Sequence, residues 1–102
     1  MDTCVLKEGI KYDTGKLRYD LLPAIAEQEL VKVLTFGANK YGEENWRLVD
    51  NHKKRYYAAL RRHVNAWRLG EQIDTESGYH HLAHALCCLV FLITPELEET
   101  TK

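Results

Sequence analysis

Apolar positions fall into helical rather than strand-like spacing along most of this chain. After an opening stretch, "MDTCVLKEGIKYDTGKLRYDLL", that mixes charges, glycines and aromatics without a sustained period, Pro23 stands where a first-turn proline is tolerated. "AIAEQELVKVL" then carries Ile25, Leu30, Val33 and Leu34 near helical spacing, which predicts a first helix from about Pro23 to Ala38. Gly37 and Gly42 bracket a segment rich in turn formers that reaches Asp50. Asp50 or Asn51 can cap a second helix, whose Tyr56, Leu60, Val64 and Trp67 form one apolar stripe before Gly70 ends it.

Asp74 or Thr75 can cap a third helix with Glu76 in its first turn, and Pro95 marks the expected end. "ELEETTK" then reads as a solvated acidic tail. No segment alternates as a buried strand would, and no repeat is present. The expected fold is all-α: one domain over residues 1–102, with an arm over 1–22, a three-helix core over 23–93 and a tail over 94–102. A chain of 102 residues buries a thin core, and its third helix is apolar on nearly every side from Ala85 to Ile93, so a homo-oligomer is expected.

Composition narrows the function classes. With 45% hydrophobic and 28% charged residues the chain is that of an ordinary globular protein, and a net charge of -1 argues against a long nucleic acid as partner. Charge is unevenly placed, however. Lys53, Lys54, Arg55, Arg61, Arg62 and Arg68 share one stretch with His63 and no acid, which suits a small anionic ligand. Cys4, Cys87 and Cys88 are odd in number and form no C-x-x-C pattern, against both a disulfide framework and a structural zinc site. The start lacks a signal-peptide pattern, and the run from Leu82 to Ile93 is shorter than the about 20 residues of a bilayer span. A cytoplasmic protein without a membrane partner is expected.

Candidate chemistry concentrates in "ESGYHHLAHA". At about 100° per residue, Tyr79, Leu82, Leu86, Leu89, Val90 and Ile93 fall on one side of the third helix, the expected core face. Glu76, His80 and His84 form a row on the other side, with His81 beside it. Three imidazoles can donate to phosphate oxygens or ligate a transition metal, although His80, His84 and Glu76 lack the spacing of a recognised zinc-enzyme motif. Arg55 with Arg61 or Arg62, and His63, add forked or ring donors from the second helix, only one of the adjacent arginines facing the same ligand. Lys40, Tyr41, Asn45 and Trp46 offer phosphate donors and stacking rings, although closing the core is the commoner use of a tryptophan, and Lys16 and Arg18 follow Gly15 in the arm without completing a phosphate-binding loop.

Taken together, "KYDTGKLRYDLLP", "VLTFGANKYGEENW", "RRHVNAW" and "ESGYHHLAHALCCLVFL" resemble a phage family described as the N-terminal domain of dATP/dGTP diphosphohydrolases, over about Lys11 to Ile93. That resemblance implies a link to the all-α, oligomeric MazG-like pyrophosphohydrolases, which use magnesium to split a nucleoside triphosphate into monophosphate and pyrophosphate. Those enzymes carry E-x-x-E and E-x-x-D pairs. Here the second pair falls on His81 and His84 as H-x-x-H, and Glu27 and Glu29 are only two apart. The leading expectation is therefore a small oligomeric protein that sequesters a phosphorylated nucleotide, such as a host cyclic nucleotide or ADP-ribose-type defence signal, without a cofactor. The alternative is a magnesium- or manganese-dependent pyrophosphohydrolase in which Glu76, Asp74, Glu71 or the Glu43/Glu44 pair hold the metal, with Glu76 or His84 as catalytic candidates.

Overall fold

A computed structural model describes residues 8–100; Cys4 and the first residues of the arm lie outside them, as do the last two residues of the tail. Three helices make up the described fold: α1 (Ala24–Tyr41), α2 (His52–Arg68) and α3 (His81–Thr100). Short 3-10 turns at Tyr19–Leu21 and Asn45–Leu48 precede α1 and α2, and the arm before them is irregular and exposed. Among the described residues there is no strand, only an isolated antiparallel bridge between Ile73 and His80.

The ends of α1 and α2 follow from glycine geometry. Gly37 stays helical and α1 runs three residues beyond the expected Ala38, until Gly42 adopts φ 97° and donates its N–H to the Ala38 carbonyl. Gly70, with φ 107°, ends α2 as expected: its N–H reaches the Trp67 carbonyl while that of Glu71 reaches Ala66, the paired bonds of a Schellman motif. Asn51 precedes α2 in the left-handed region without a side-chain cap, so only its carbonyl, bonded to Arg55 N–H, takes part.

Both ends of α3 differ from expectation. Asp74 and Thr75 do not cap it, because Gly78 at φ 80° turns the chain and holds residues 74–80 in a tight loop. In that loop the Asp74 carboxylate accepts the N–H and hydroxyl of Ser77, and the helix begins at His81, with the His80 Nδ1 accepting Leu82 N–H. Glu76 therefore lies outside the helix. Nor does Pro95 end it: α3 continues to Thr100, so most of the expected acidic tail is helical. Arg47 grips Glu98 through two guanidinium contacts of 2.7 and 3.1 Å and also bonds Glu44, which ties this last turn to the loop before α2. At 20 residues α3 is long and apolar enough to cross a membrane, by length and composition only. In this fold it is the helix on which the other two pack, α2 more extensively than α1.

α3 also turns a different face inward. Val33, Ala83 and Cys87 form the buried centre, joined by Leu30, Leu34, Tyr79 and Phe91, while His81 and Cys88 are buried as well. Leu86, Leu89 and Ile93, expected in the core, remain 40%, 47% and 52% exposed. An almost wholly apolar helix has no stripe to select a face; here the small Ala83, Cys87 and Cys88 side chains face inward. Consequently the imidazoles of His81 and His84 lie on the inner side. Phe91 closes the far end, stacked on Trp46 at 4.5 Å and edge-on to Tyr56 at 5.2 Å. Phe91→Ala is expected to cost about 2 kcal/mol, below the value for a fully buried ring, read as a lowered urea midpoint.

Candidate functional site

The inward face of α3, the second half of α1 and the middle of α2 enclose a cavity of about 570 Å³. Apolar lining comes from Val33, Phe36, Ala59, Cys87 and Phe91, and polar lining from Lys40, Arg62, His63, Asp74, Glu76 and His84. A second groove, of about 590 Å³ beside Asn51 to Lys54, Tyr57, Leu92 and Glu96, is more open to solvent.

Three histidines and two carboxylates meet along the α2–α3 side. The buried His81 ring spans two partners: its Nε2 lies 2.7 Å from Glu71 Oε1 and its Nδ1 2.9 Å from His63 Nδ1. An ionised carboxylate only accepts, so in a neutral His81 ring the proton is on Nε2, and His63 then donates from Nδ1 to the remaining lone pair. His63 and His84 stack nearly parallel, at 4.5 Å and 8°. Ser77 Oγ is 2.6 Å from His84 Nε2 and 2.8 Å from Asp74 Oδ2. The carboxylate is the stronger acceptor for the single hydroxyl proton; His84 Nε2–H then donates to Ser77 Oγ and its lone pair is on Nδ1.

Burial keeps the His63 and His84 rings uncharged near neutrality. Burial, aided by His84 and His81, pushes His63 down to about 4, and burial likewise lowers His84. For Asp74, burial acts upward but the two Ser77 hydrogen bonds prevail and hold it below the usual carboxylate range. Burial pushes Cys87 up to about 12 and Cys88 to about 11, so both thiols stay protonated and neither is a ready nucleophile.

Of the residues singled out in the sequence, Lys40, Tyr41, Glu43, Glu44, Asn45, Trp46, Arg62, His63, Asp74, Glu76 and His84 line the cavity. Between the adjacent arginines, Arg62 faces it; Arg61 instead bonds the Tyr57 hydroxyl and lies over that ring. Arg55 bonds the Asp50 carbonyl, Arg18 pairs with Asp20 in the exposed arm, and neither they nor Lys16 reach the cavity. His80 caps α3, while His81 and Glu71 stand behind the lining residues. Trp46 is no open platform for a base: Phe91 stacks on it and the Arg47 guanidinium lies 4.4 Å over the ring. Tyr41 is 62% exposed, with Lys40 Nζ 5.1 Å from its ring centre and bonded to Glu76. Ser77 escaped the sequence reading, although Asp74-x-x-Ser77-Gly78 is the pattern of a side-chain-closed turn.

Fold and site thus define an all-helical domain with an imidazole–carboxylate cluster in the wall of a polar-and-aromatic cavity. A sequence profile described as "dATP/dGTP diphosphohydrolase, N-terminal" matches residues 7–102, and the chain belongs to that family. A dATP/dGTP diphosphohydrolase of Salmonella phage PMBT28 is 37% identical over 84 residues, which are 82% of this chain. The chain spans 28% of the length of that curated relative. No solved structure matches.

Proposed function

We propose that the cavity between α1, α2 and α3 holds a purine deoxynucleoside triphosphate and that the site takes part in its hydrolysis to monophosphate and pyrophosphate. Family membership, with a relative named as a dATP/dGTP diphosphohydrolase, supports this reading over the sequestration expected from the residues. The observation that carries it locally is the arrangement of the lining: cations Lys40 and Arg62, the exposed ring of Tyr41, and a neutral His84 held by Ser77 and Asp74. Arg62 offers a forked match to phosphate oxygens, and Lys40 a point charge once Glu76 releases it. His84 is the candidate for drawing a proton from an attacking water. The exposed row of Leu86, Leu89, Ile93 and Leu97 is the surface on which self-association would fall.

Magnesium, implied by the resemblance to MazG-like enzymes, does not fit the cluster well. Imidazole nitrogens stand where its oxygen cage would be; of the cavity carboxylates Glu76 is bonded to Lys40, Glu44 to Arg47 and Asp74, through one oxygen, to Ser77, while Glu43 lines the opposite loop.

The test is incubation of the purified chain with deoxynucleoside triphosphates and nucleotide signals, with and without magnesium or manganese, followed by denaturation and mass analysis. Monophosphate with pyrophosphate supports hydrolysis; intact nucleotide released only on denaturation supports trapping instead. Under either reading Arg62→Ala is expected to weaken nucleotide binding about 10- to 100-fold, the loss of a charge-assisted, forked contact, measured by calorimetry.

A further inference from the structure

We propose that His63, His81 and Asp74 form a binding site for one divalent transition-metal ion of the zinc type, with an open coordination position towards the cavity. One donor atom from each of these three residues lies within 4.8 Å of the others. Donors around a tetrahedral ion with bonds of about 2.1 Å stand roughly 3.4 Å apart, so the imidazole pair must open slightly and the carboxylate close in, both within the reach of small side-chain rotations. The two Nδ1 atoms already face each other at 2.9 Å, close enough for one ion to replace the proton shared between them.

The surroundings are those of a metal ligand's supporting groups. His81 Nε2 donates to Glu71, which fixes the tautomer and directs the Nδ1 lone pair at His63; a carboxylate behind a histidine is the usual outer partner of a metal-bound imidazole. Both Ser77 bonds to Asp74 fall on Oδ2, which orients the carboxylate. His81 is 4% exposed and so held in place, whereas His63 and Asp74 also line the cavity. Two imidazoles and one carboxylate leave the remaining position for water or a ligand oxygen, as in catalytic zinc sites, and select against magnesium, which wants oxygen throughout. This site is independent of hydrolysis: zinc would bind even if the chain turned over no nucleotide.

The test uses the full chain stripped with a chelator and titrated with cobalt(II) chloride, followed by its visible d–d bands, and with zinc chloride against a competing chelator. One equivalent is expected to bind, unaffected by millimolar magnesium. His63→Ala and His81→Ala are expected to weaken zinc binding at least 100-fold, and Glu71→Gln about 10-fold, while His52→Ala changes nothing. Glu71 is exposed enough that Glu71→Gln will fold if the buried His81→Ala does not, as circular dichroism will show. Stoichiometric binding lost in this order establishes the site. No binding, binding indifferent to Glu71→Gln and His63→Ala, or equal competition by magnesium overturns it, whatever the nucleotide assay reports.

Discussion

Replacing His84 by alanine is expected to lower pyrophosphate release from dATP or dGTP by about two to four orders of magnitude, with nucleotide affinity changed less than about threefold. A charged imidazole would instead be an anion holder, and its loss would appear mainly in binding. Burial lowers the His84 pKa, so near neutrality the ring carries a lone pair and no charge. Its orientation is set from outside the helix: Ser77 Oγ at 2.6 Å and, through that hydroxyl, Asp74. Arg62, by contrast, keeps its cation whatever happens to His84, so affinity and turnover separate by residue. The acid limb of the rate profile should accordingly lie below the ordinary imidazole value of about 6.5. Ser77→Ala, which removes the orienting oxygen but no charge, should reduce turnover about 10-fold. The measurement is pyrophosphate release alongside calorimetric affinity for each variant. A His84→Ala protein whose affinity falls as far as its rate would assign the ring to binding and leave the base elsewhere.

How far such a site could be read in advance depended on the range of the interactions that build it. Three helices and the glycine stop at Gly70 are local matters of propensity and backbone conformation, and they were legible; the loop expected to carry Lys40 and Tyr41 was not, because α1 runs through both residues to Gly42. The start of α3 was not, because a capping Asp and a turn-closing Asp use the same side-chain chemistry; the positive φ of Gly78 decides between them. The inward face of α3 was hidden by its own uniform apolarity, and this reversed the placement of His81 and His84. Its passage through Pro95 goes with a contact between Arg47 and Glu98, 51 residues apart, which no window of sequence contains. Whether Trp46 stacks on a ligand or closes the core was open in the sequence for a related reason. Its stacking partner, Phe91, comes from another helix, and only the fold shows that the ring is occupied.

The same buried cluster should make the metal-free protein acid-labile in a window that ordinary surface histidines would not produce. His63 titrates near 4 in the folded chain against about 6.5 when unfolded, so between these values the unfolded state binds the extra proton. Stability from this group is thus fully present above about pH 6.5, declines as pH falls and is exhausted below about 4. The difference corresponds to at most about 3 kcal/mol, and roughly 2–3 kcal/mol is expected after allowing for partial solvation of the ring. Every element around it contributes: His84 and His81 on α3 and Arg62 on α2 oppose the proton, while Asp74 on the loop favours it. Because the lowered pKa of His84 has the same sign, the losses reinforce one another, and protonating Asp74 removes a further increment at lower pH. Urea unfolding in chelator at about pH 7, 5.5 and 4.5 measures the slope. His63→Gln, which keeps a donor towards His81 but cannot gain a charge, should flatten most of it. A wild-type slope that His63→Gln leaves intact would take the acid sensitivity away from His63 and assign it to other groups, His84 first among them.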